Sequence, residues 1–386
     1  MRMLTGFDSG ARAKLPSWRK LPQINWAMVV LICFVAGIGF VMLYSAAGGS
    51  FSPWASRQML RFAVGLVFLL SIAVVELRIW LRYAYLIYAC ALALLVAVEI
   101  VGEIGMGAQR WIDLGFFQLQ PSELMKIALI LALARYFHGL EMDSVGRILP
   151  LVPPLLLVAM PAILVLKQPD LGTAGMLIIS GGALFFAAGV RLWKFGVLIA
   201  GGLAAIPVSW NLLHDYQRNR VLTFLDPERD PLGAGYHILQ SKIAFGSGGV
   251  FGKGYLLGTQ SHLNFLPEKQ TDFIFTMLAE EFGLAGALTL LLIYAVLIAY
   301  GLAIAMRSRS HFGRLLAMGL TFNLFLFVFI NMAMVMGIIP VVGVPLPLIS
   351  YGGTAMLTVL IGFGLIMSVY VHRDAKVGRR GLAEES

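Results

Sequence analysis

Charged residues are scarce in this chain. Asp, Glu, Lys and Arg together make up 13% of its 386 residues, whereas soluble proteins average about a quarter. Hydrophobic residues reach 59%, and the mean hydropathy is +0.84. This composition excludes an ordinary soluble domain and is typical of a protein that crosses a membrane several times.

Cysteine is nearly missing, and so is a common nucleotide-binding pattern. Cys33 and Cys90 lie in apolar runs and offer neither a disulfide framework nor metal-ligand spacing. The glycine-rich stretch 246–254 has Ser247 where a phosphate-binding loop needs glycine, and Gly254 where it needs Ser or Thr. We therefore expect no cysteine-based metal centre and no ATP site in these segments.

Acidic residues are outnumbered by basic ones, which gives a net charge of +9. In a soluble protein this excess would suggest a nucleic-acid partner. Here Lys and Arg concentrate in alternate segments between the apolar runs, as expected where those segments face the cytoplasm. The pattern predicts that both termini are cytoplasmic and that no nucleic acid is bound.

Apolar runs of membrane-spanning length define the predicted domain. With about 20 residues per crossing, the sequence predicts an all-α polytopic membrane protein of about ten transmembrane helices. They are placed near 26–46, 59–77, 80–101, 121–138, 148–166, 170–189, 192–213, 272–304, 315–339 and 346–371. The first run is too long for a cleaved signal peptide.

The predicted domain organisation is simple. We expect a cytoplasmic tail over residues 1–25, one transmembrane domain over 26–373 and a second cytoplasmic tail over 374–386. A large extracytoplasmic loop at about 214–271 separates the seventh and eighth helices.

Most of the remaining charges fall on the outer side. A charged residue at the centre of a transmembrane helix costs about 2.5 to 3.5 kcal/mol, so these side chains should pair, reach the interface or face a polar cavity. We therefore predict one cavity that opens outward. The residues are Arg57, Arg61, Arg110, Asp113, Glu123, Lys126, Lys167, Asp170, Arg218, Arg220, Asp226, Glu228, Glu268, Lys269 and Asp272.

Two motifs predict helix starts that carry charge. In "QRWIDLGFFQLQPSELMK", residues 109–126, Pro121 and Glu123 suit a first helical turn, and Lys126 lies one turn beyond Glu123. The two charges form either a local ion pair or a site where Lys126 awaits an anionic ligand. In "LKQPDLGTAG", residues 166–175, Asp170 is predicted to cap the next helix, which makes a structural turn the favoured interpretation.

The long outer loop places Arg218 and Arg220 close to the membrane in "YQRNRVLTFLDPERDPLG". The stretch 236–245 is weakly amphipathic and is predicted to lie on the membrane surface. In "VVGVPLPLISYGGTAML", residues 341–357, prolines and glycines interrupt the entry to the last span. Such breaks line cavities, which would place Ser350 at the outer pocket; a plain re-entrant turn is the alternative.

The motif "PEKQTDFIFTMLAEEFG", residues 267–283, brings acids to the mouth of an apolar run. Thr271 or Asp272 could cap the following helix. Alternatively Asp272, with Glu268 and Lys269 crowded beside it, could act as a general base.

Two further acids of this motif, Glu280 and Glu281, lie inside the apolar run. In an uninterrupted helix Glu280 is about 80° and Glu281 about 180° around from Asp272. At most one of the two glutamates should therefore line the cavity, and the other should pair with a basic residue.

These features describe an outward-facing site with several cations and one carboxylate. Cations suit a phosphate-bearing ligand, and the membrane favours a lipid-linked one. A base with a cationic clamp could transfer a glycosyl group from a lipid diphosphate. Transport of the same kind of lipid would need a similar cavity.

The run from Gly235 to Gly283 resembles the signature region of the SEDS family (shape, elongation, division and sporulation), and the other quoted motifs follow in the order typical of that family. The resemblance extends over residues 26–373. It implies a ten-helix peptidoglycan glycosyltransferase of the bacterial inner membrane. Such a polymerase joins lipid II units at the outer face of the membrane during cell elongation and rod-shape maintenance.

The resemblance also implies roles for particular residues. Asp272 would be the general base that activates the GlcNAc 4-hydroxyl of the acceptor, with inversion at the donor carbon and undecaprenyl diphosphate as leaving group. No cofactor is evident, although a divalent cation, Mg or Mn, at the diphosphate stays open. The expected substrate contacts are Lys126, Glu123, Arg110, Arg57, Arg218, Arg220, Glu268, Lys269, Thr271 and Ser350.

The family resemblance further implies partners. A class B penicillin-binding protein would crosslink the product, and MreC, MreD and RodZ would complete an elongation complex. The alternatives are a lipid II flippase, a division-specific member of the same family, and a scaffold for the transpeptidase without activity of its own.

Overall fold

Each long apolar run of the sequence forms one helix. The computed structural model describes residues 17–105, 108–113, 115, 118–212, 218–219, 222–224, 226, 234–262, 268–375 and 378. The helices are α1 Trp26–Ala46, α2 Trp54–Val74, α3 Leu77–Val101, α4 Pro121–Gly139, α5 Val152–Lys167, α6 Leu171–Ala187, α7 Leu192–Leu212, α8 Ala234–Ser247, α9 Ile274–Arg307, α10 His311–Val335 and α11 Gly353–Val371.

The polytopic all-α prediction is confirmed. Within the described residues, seven helices are long and apolar enough to span a membrane, and α6 and the first part of α7 are shorter apolar helices. Helix α4 is the remaining long candidate and carries Glu123 and Lys126 in its interior. The count of ten spans and the limits of the outer loop stay predictions.

Helix α4 lies at the centre of the bundle. It packs against α3, α5, α6, α10 and α11, and most of its side chains are buried. This position explains how a helix with an acid and a base is accommodated, because the neighbouring helices shield both charges from lipid. Helix α7 lies at the opposite extreme, since large apolar side chains such as Leu192, Val197 and Leu203 are exposed along it.

The two ends of the described chain lie on the same side of the bundle. Lys20 Nζ is 3.2 Å from His372 Nε2 and 3.6 Å from Glu76 Oε1. The main-chain N–H of Arg309 donates to the carbonyl of Arg373 at 3.0 Å. An even number of crossings, as predicted, agrees with this arrangement.

Two predicted helix starts differ from the structure for clear reasons. The last helix begins at Gly353 rather than near 346, because Pro345 and Pro347 have no N–H to contribute to a helix. The second helix begins five residues earlier than predicted, at Trp54, immediately after Pro53. The residues between α10 and α11 thus form a loop, residues 336–352, which we call the 336–352 loop.

Small elements outside the spans were not predicted. Strands β1 Glu103–Gly105, β2 Ala108–Asp113 and β3 Gln118–Leu119 form an antiparallel sheet in the order β1-β2-β3. Helix α8 covers the stretch predicted to lie on the membrane surface. It packs against α9, and Ser241 is fully buried where its hydroxyl donates to the carbonyl of Val335 at 2.8 Å.

Candidate functional site

Asp272 lies in a turn, residues 268–273, immediately before α9. The helix begins at Ile274 with Phe273 as its N-cap residue, so the predicted capping role of Thr271 or Asp272 is wrong. The Thr271 hydroxyl donates instead to Glu268 Oε2 at 3.0 Å, and the Thr271 N–H donates to the Glu268 carbonyl at 3.0 Å. Glu268 and Thr271 therefore stabilise the turn that presents Asp272.

Three successive main-chain carbonyls of the 268–273 turn accept hydrogen bonds from other elements. The N–H of Tyr351 donates to the carbonyl of Gln270 at 2.8 Å. The Ser350 hydroxyl donates to the carbonyl of Thr271 at 2.6 Å, and Asn331 Nδ2 donates to the carbonyl of Asp272 at 2.9 Å. These bonds attach the turn to the 336–352 loop and to α10.

The 336–352 loop is itself held in an unusual conformation. Leu348 has φ 67°, and in the facing turn Glu268 has φ 51°, a region that non-glycine residues rarely adopt. Each costs about 1 to 3 kcal/mol, and such residues cluster at functional sites. The buried hydroxyl of Tyr294, in α9, donates to the carbonyl of Pro347 and attaches the loop to that helix.

The Asp272 carboxylate is partly exposed and faces the 336–352 loop at Gly343. A Cβ atom added to Gly343 would lie 3.4 Å from Asp272 Oδ2, and this glycine has φ 78°. The positive φ favours glycine here, because the left-handed backbone region is rarely adopted by other residues; the 3.4 Å distance shows that Gly343 lies beside the carboxylate.

Helix α2 contributes polar side chains to the same region. The Gln58 amide donates to the carbonyl of Ser350 at 2.9 Å, and its oxygen accepts from the N–H of Gly352 at 3.4 Å. The Arg61 guanidinium lies 4.8 Å from the centre of the Tyr351 ring. Arg57 is exposed and lies one helical turn before Arg61, on the same face.

Glu123 and Lys126 form the ion pair that their spacing allows. Lys126 Nζ is 2.7 Å from Glu123 Oε1, and the side chains are 1% and 5% exposed. Lys126 Nζ also lies 4.0 Å from the centre of the Phe327 ring, a cation–π contact. Lys126 is therefore enclosed in this conformation, and its direct contact with a substrate stays a prediction.

Arg110 is held by the turn between α5 and α6. Its guanidinium donates to the carbonyls of Gln168 at 3.1 Å and Pro169 at 2.6 Å, and lies 4.0 Å from Asp170 Oδ2. Asp170 caps α6 as predicted, accepting from the N–H of Thr173 at 3.1 Å. These bonds attach β2 to the bundle and occupy much of the guanidinium.

Of the two loop arginines predicted to contact the substrate, Arg218 and Arg220, only Arg218 is described. Its guanidinium donates to the carbonyls of Trp210 at 2.9 Å and Asn211 at 3.0 Å, near the end of α7. Arg220 lies outside the described residues. The structure thus assigns Arg218 to the end of α7 and leaves its substrate contact as a prediction.

Both glutamates of α9 are buried, and their bonds lead away from Asp272. Glu280 Oε1 is 2.8 Å from Lys253 Nζ, in the segment before the 268–273 turn. Glu281 Oε1 accepts from the Ser45 hydroxyl of α1 at 2.5 Å. Glu280 thus pairs with a basic residue, as predicted for one of the two acids, although this residue belongs to the outer loop.

Burial and ligand chemistry restrict what the site can do. Burial lowers the pKa of the Lys269 ammonium, because a less hydrated site disfavours the charged form. Across the described residues, no group of three or more His, Cys, Asp or Glu side chains could hold a metal ion. The chemistry available there is that of the Asp272 carboxylate, with Glu268 in the same turn, beside several cations.

Sequence reasoning missed Gln58, Asn331 and Tyr351, whereas Arg61 was among the charges predicted to face the outer cavity. Asn331 carried a signal, since it is a polar residue in the apolar run "FVFINMAMV" and would need a partner once buried. The other two depend on contacts between α2 and the 336–352 loop, which spacing along the chain does not reveal.

The fold and site define a class: a polytopic all-α membrane protein that presents the Asp272 carboxylate at a turn before a transmembrane helix. Residues 25–375 match the cell cycle protein family of FtsW, RodA and SpoVE. This chain belongs to that family.

Several curated relatives cover nearly the whole chain. It is 46% identical over 363 residues to the peptidoglycan glycosyltransferase MrdB of Escherichia coli K12, covering 92% of this chain and 95% of that protein. It is 35% identical to stage V sporulation protein E of Bacillus subtilis, covering 89% and 95%. It is 36% identical to a probable peptidoglycan glycosyltransferase FtsW of Trichlorobacter lovleyi, covering 91% and 94%.

Two solved structures share the fold. One, described as the structural coordination of polymerization and crosslinking by a peptidoglycan synthase complex, has a TM-score of 0.79 at 34% identity, covering 91% of this chain and 98% of its own. The rod shape determining protein RodA of Thermus thermophilus has a TM-score of 0.68 at 30% identity, covering 91% and 97%.

Proposed function

We propose that this chain is a peptidoglycan glycosyltransferase of the bacterial inner membrane. It joins lipid II disaccharide units into glycan strands at the outer face during cell elongation and rod-shape maintenance. The observation that carries the proposal is the attachment of three successive carbonyls, those of Gln270, Thr271 and Asp272, to groups from other elements. A general base has to be held in place, because misplacement by about 1 Å can cost 10²-fold in rate.

The proposed reaction is a direct displacement. Asp272 accepts the proton of the acceptor GlcNAc 4-hydroxyl as that oxygen bonds to the anomeric carbon of the donor MurNAc. The bond from this carbon to the phosphate oxygen breaks, and undecaprenyl diphosphate leaves with the electron pair. The new bond forms opposite the leaving group, so the configuration inverts.

The leaving diphosphate needs cations, because negative charge develops on it in the transition state. We propose that Arg57, Arg61 and Lys269 contact it directly, since each is at least partly exposed next to the Asp272 turn. Lys126 is enclosed, so in this conformation it would affect the diphosphate only through its positive charge at a distance. Direct contact would require a conformation in which the Lys126 side chain is accessible. Titration with a chelator tests whether a divalent cation also takes part.

The identity to MrdB and the likeness to RodA support the elongation role over the division-specific one. The similar peptidoglycan synthase complex supports a partner that crosslinks the product. We propose a class B penicillin-binding protein as that partner. MreC, MreD and RodZ remain predicted members of the assembly.

The test is polymerisation of labelled lipid II in detergent by the purified protein with its transpeptidase. Asp272→Asn should lower the rate by about 10² to 10⁴-fold, the usual contribution of a general base. Asp143→Asn, at an exposed acid between α4 and α5, is the matched control and should keep full activity. Full polymerisation by Asp272→Asn would reject the assigned role.

The same assay separates the enzyme from the flippase and the scaffold. Detergent-solubilised lipid II needs no transport, so glycan product formed there requires an enzyme. If the chain were a transporter or a scaffold, the wild-type protein with a catalytically inactive transpeptidase partner would form no glycan polymer.

A further inference from the structure

Helix α9 is broken at Gly283, and the break exposes main-chain groups inside the protein. Gly283 has φ 66° and ψ −163°, far from helical values. In an unbroken helix the N–H groups of residues 284 and 285 would donate to the carbonyls of 280 and 281. The break removes both bonds, and unpaired main-chain groups are costly in a membrane protein.

A segment of the outer loop satisfies all four groups. We call residues 248–262 the strap. The carbonyls of Glu280 and Glu281 accept from the N–H groups of Lys253 at 3.0 Å and Gly254 at 3.1 Å. The N–H groups of Leu284 and Ala285 donate to the carbonyls of Gly249 and Val250, both at 3.0 Å.

The close approach of the two chains depends on glycine. A Cβ added to Gly248 would lie 2.1 Å from the carbonyl oxygen of Ala279, and one added to Gly252 would lie 2.1 Å from that of Glu281. No side chain fits between the strap and α9 at these positions. The glycine-rich stretch 246–254, which does not match a phosphate-binding loop, therefore allows this close contact between the strap and α9.

The Glu280 carboxylate secures the strap through side chains as well. Glu280 is 0% exposed. Its Oε1 accepts from Lys253 Nζ at 2.8 Å, the N–H of Gln260 at 2.9 Å and the Thr259 hydroxyl at 3.2 Å. Lys253 Nζ also donates to the Thr259 hydroxyl at 2.7 Å. The carboxylate thus collects three donors from the strap.

This arrangement closes a loop of chain that contains the Asp272 turn. Lys253 and Glu280 join the two ends of residues 253–280. The 268–273 turn between them is bonded to Asn331, Ser350 and Tyr351. Only the Glu280 side chain is fully buried, while Lys253 is 26% exposed; an ion pair of this kind adds little net stability, since the burial of charge opposes the attraction. Such pairs are better suited to fixing one arrangement of the chain.

We infer that Glu280, paired with Lys253, is a positioning residue for glycosyl transfer. The inference rests on the proposed function and extends it to a residue that does not contact the substrate. Glu280 joins the two ends of this segment and thereby limits the positions that Asp272 can take within it. Loss of the pair lets the carboxylate of Asp272 sample unproductive positions while Arg57 and Arg61, which lie on α2, stay in place.

The test uses the full-length protein with its transpeptidase and measures kcat and KM for lipid II per folded enzyme. Glu280→Gln keeps an acceptor for Thr259 and Gln260 but removes the charge that pairs with Lys253. We expect kcat to fall about tenfold or more, given its sensitivity to small misplacements, with KM within about twofold. Lys253→Met should act alike, and Lys253→Arg should restore most of the kcat.

The controls separate positioning from folding. Lys242→Met makes the same change at an exposed lysine of α8 and should leave kcat unchanged. The double variant Glu280→Gln/Lys253→Met should lose no more than the worse single variant, because both remove one interaction. An unchanged kcat in Glu280→Gln, or a loss explained entirely by unfolded protein, would overturn the inference.

A second measurement does not depend on activity. Hydrogen exchange of the main-chain amides in residues 268–273 should become faster in Glu280→Gln than in wild type, and should stay unchanged in Lys242→Met. Equal exchange in all three proteins would refute the positioning role. Full activity of Asp272→Asn would instead refute the role of Asp272 and leave the exchange result standing.

Discussion

Asn331 donates a hydrogen bond from its amide to the main-chain carbonyl of Asp272 at 2.9 Å, and another to the carbonyl of Val344 at 2.7 Å. Asn331 is fully buried in α10. One side chain thus joins the turn that carries the candidate base to the 336–352 loop facing it. The bonds fix the separation of the two segments from within the bundle.

Replacement of Asn331 by Leu should therefore impair both stability and catalysis. The change leaves two carbonyls without this donor, at a cost of about 1 to 3 kcal/mol each when they stay buried. We expect a lower melting temperature in detergent and a lower kcat. Asn323→Leu, on the same helix but without a bond to the turn, is the control and should keep kcat.

The buried pair of Glu123 and Lys126 predicts a specific pattern of variants. Lys126→Met alone leaves the Glu123 charge buried, which should destabilise the fold by about 3 to 5 kcal/mol. The double variant Lys126→Met/Glu123→Gln removes both charges and should recover most of that loss. Thermal unfolding of the two proteins measures the difference.

Activity of the same double variant tests the function of Lys126. If the lysine charge stabilises the leaving diphosphate, the double variant folds but polymerises lipid II slowly. Normal polymerisation by this well-folded double variant would show that the pair serves structure alone.

Gly248→Ala should be strongly unfavourable, because the added Cβ would lie 2.1 Å from the Ala279 carbonyl oxygen. Overpacking of this kind costs about 1 to 3 kcal/mol. Gly246→Ala, two residues earlier in α8 with no atom within 4 Å of the added Cβ, is the matched control. The control should be neutral or slightly stabilising, since Ala favours helix over Gly. Equal melting temperatures of the two variants would contradict the contact.

The lowered pKa of Lys269 predicts that alkaline pH decreases activity and increases this residue's contribution to stability. Burial lowers the pKa of this ammonium, so its charge is lost at a lower pH than that of an exposed lysine. If Lys269 contacts the diphosphate, kcat/KM should fall as the pH rises through the lowered pKa. The penalty for burying the charge is relieved over the same range, up to the ordinary lysine pKa, so this residue's contribution to stability should increase.

Lys269→Arg is the informative variant for this pH dependence, because its guanidinium stays charged throughout the range. We expect the alkaline decline of kcat/KM to move to higher pH in Lys269→Arg. In Lys269→Met, kcat/KM should be low at every pH and show no decline from this group. An unchanged alkaline decline in both variants would exclude Lys269 as its source.

Local chemistry made some features predictable from the sequence. Pro121 begins α4, Asp170 caps α6, and Glu123 pairs with Lys126, because each depends on residues within one helical turn. The all-α membrane fold was also predictable, because the length of each apolar run is a local property of the sequence. Asp272 could be singled out because a carboxylate at the mouth of an apolar run needs an explanation, but its catalytic role comes from the family resemblance and stays a prediction.

Features that depend on distant parts of the chain were not predictable in this way. The bonds of Asn331 and Gln58 join elements far apart in sequence, and Arg61 faces Tyr351 only once α2 packs against α11. The helical geometry used for Glu280 and Glu281 counted Asp272 as part of the helix, whereas α9 begins at Ile274. The partners found for the two acids, Lys253 and Ser45, belong to other segments of the chain.

The exchange of hydrogen bonds between the strap and α9 imposes an order on biogenesis. The strap precedes α9 in the chain, so its amides and the Lys253 charge need water as a partner until α9 is in the membrane. The four hydrogen bonds at the Gly283 break can form only when the strap and α9 are both in place. The outer site is therefore completed only after the eighth predicted span has been inserted.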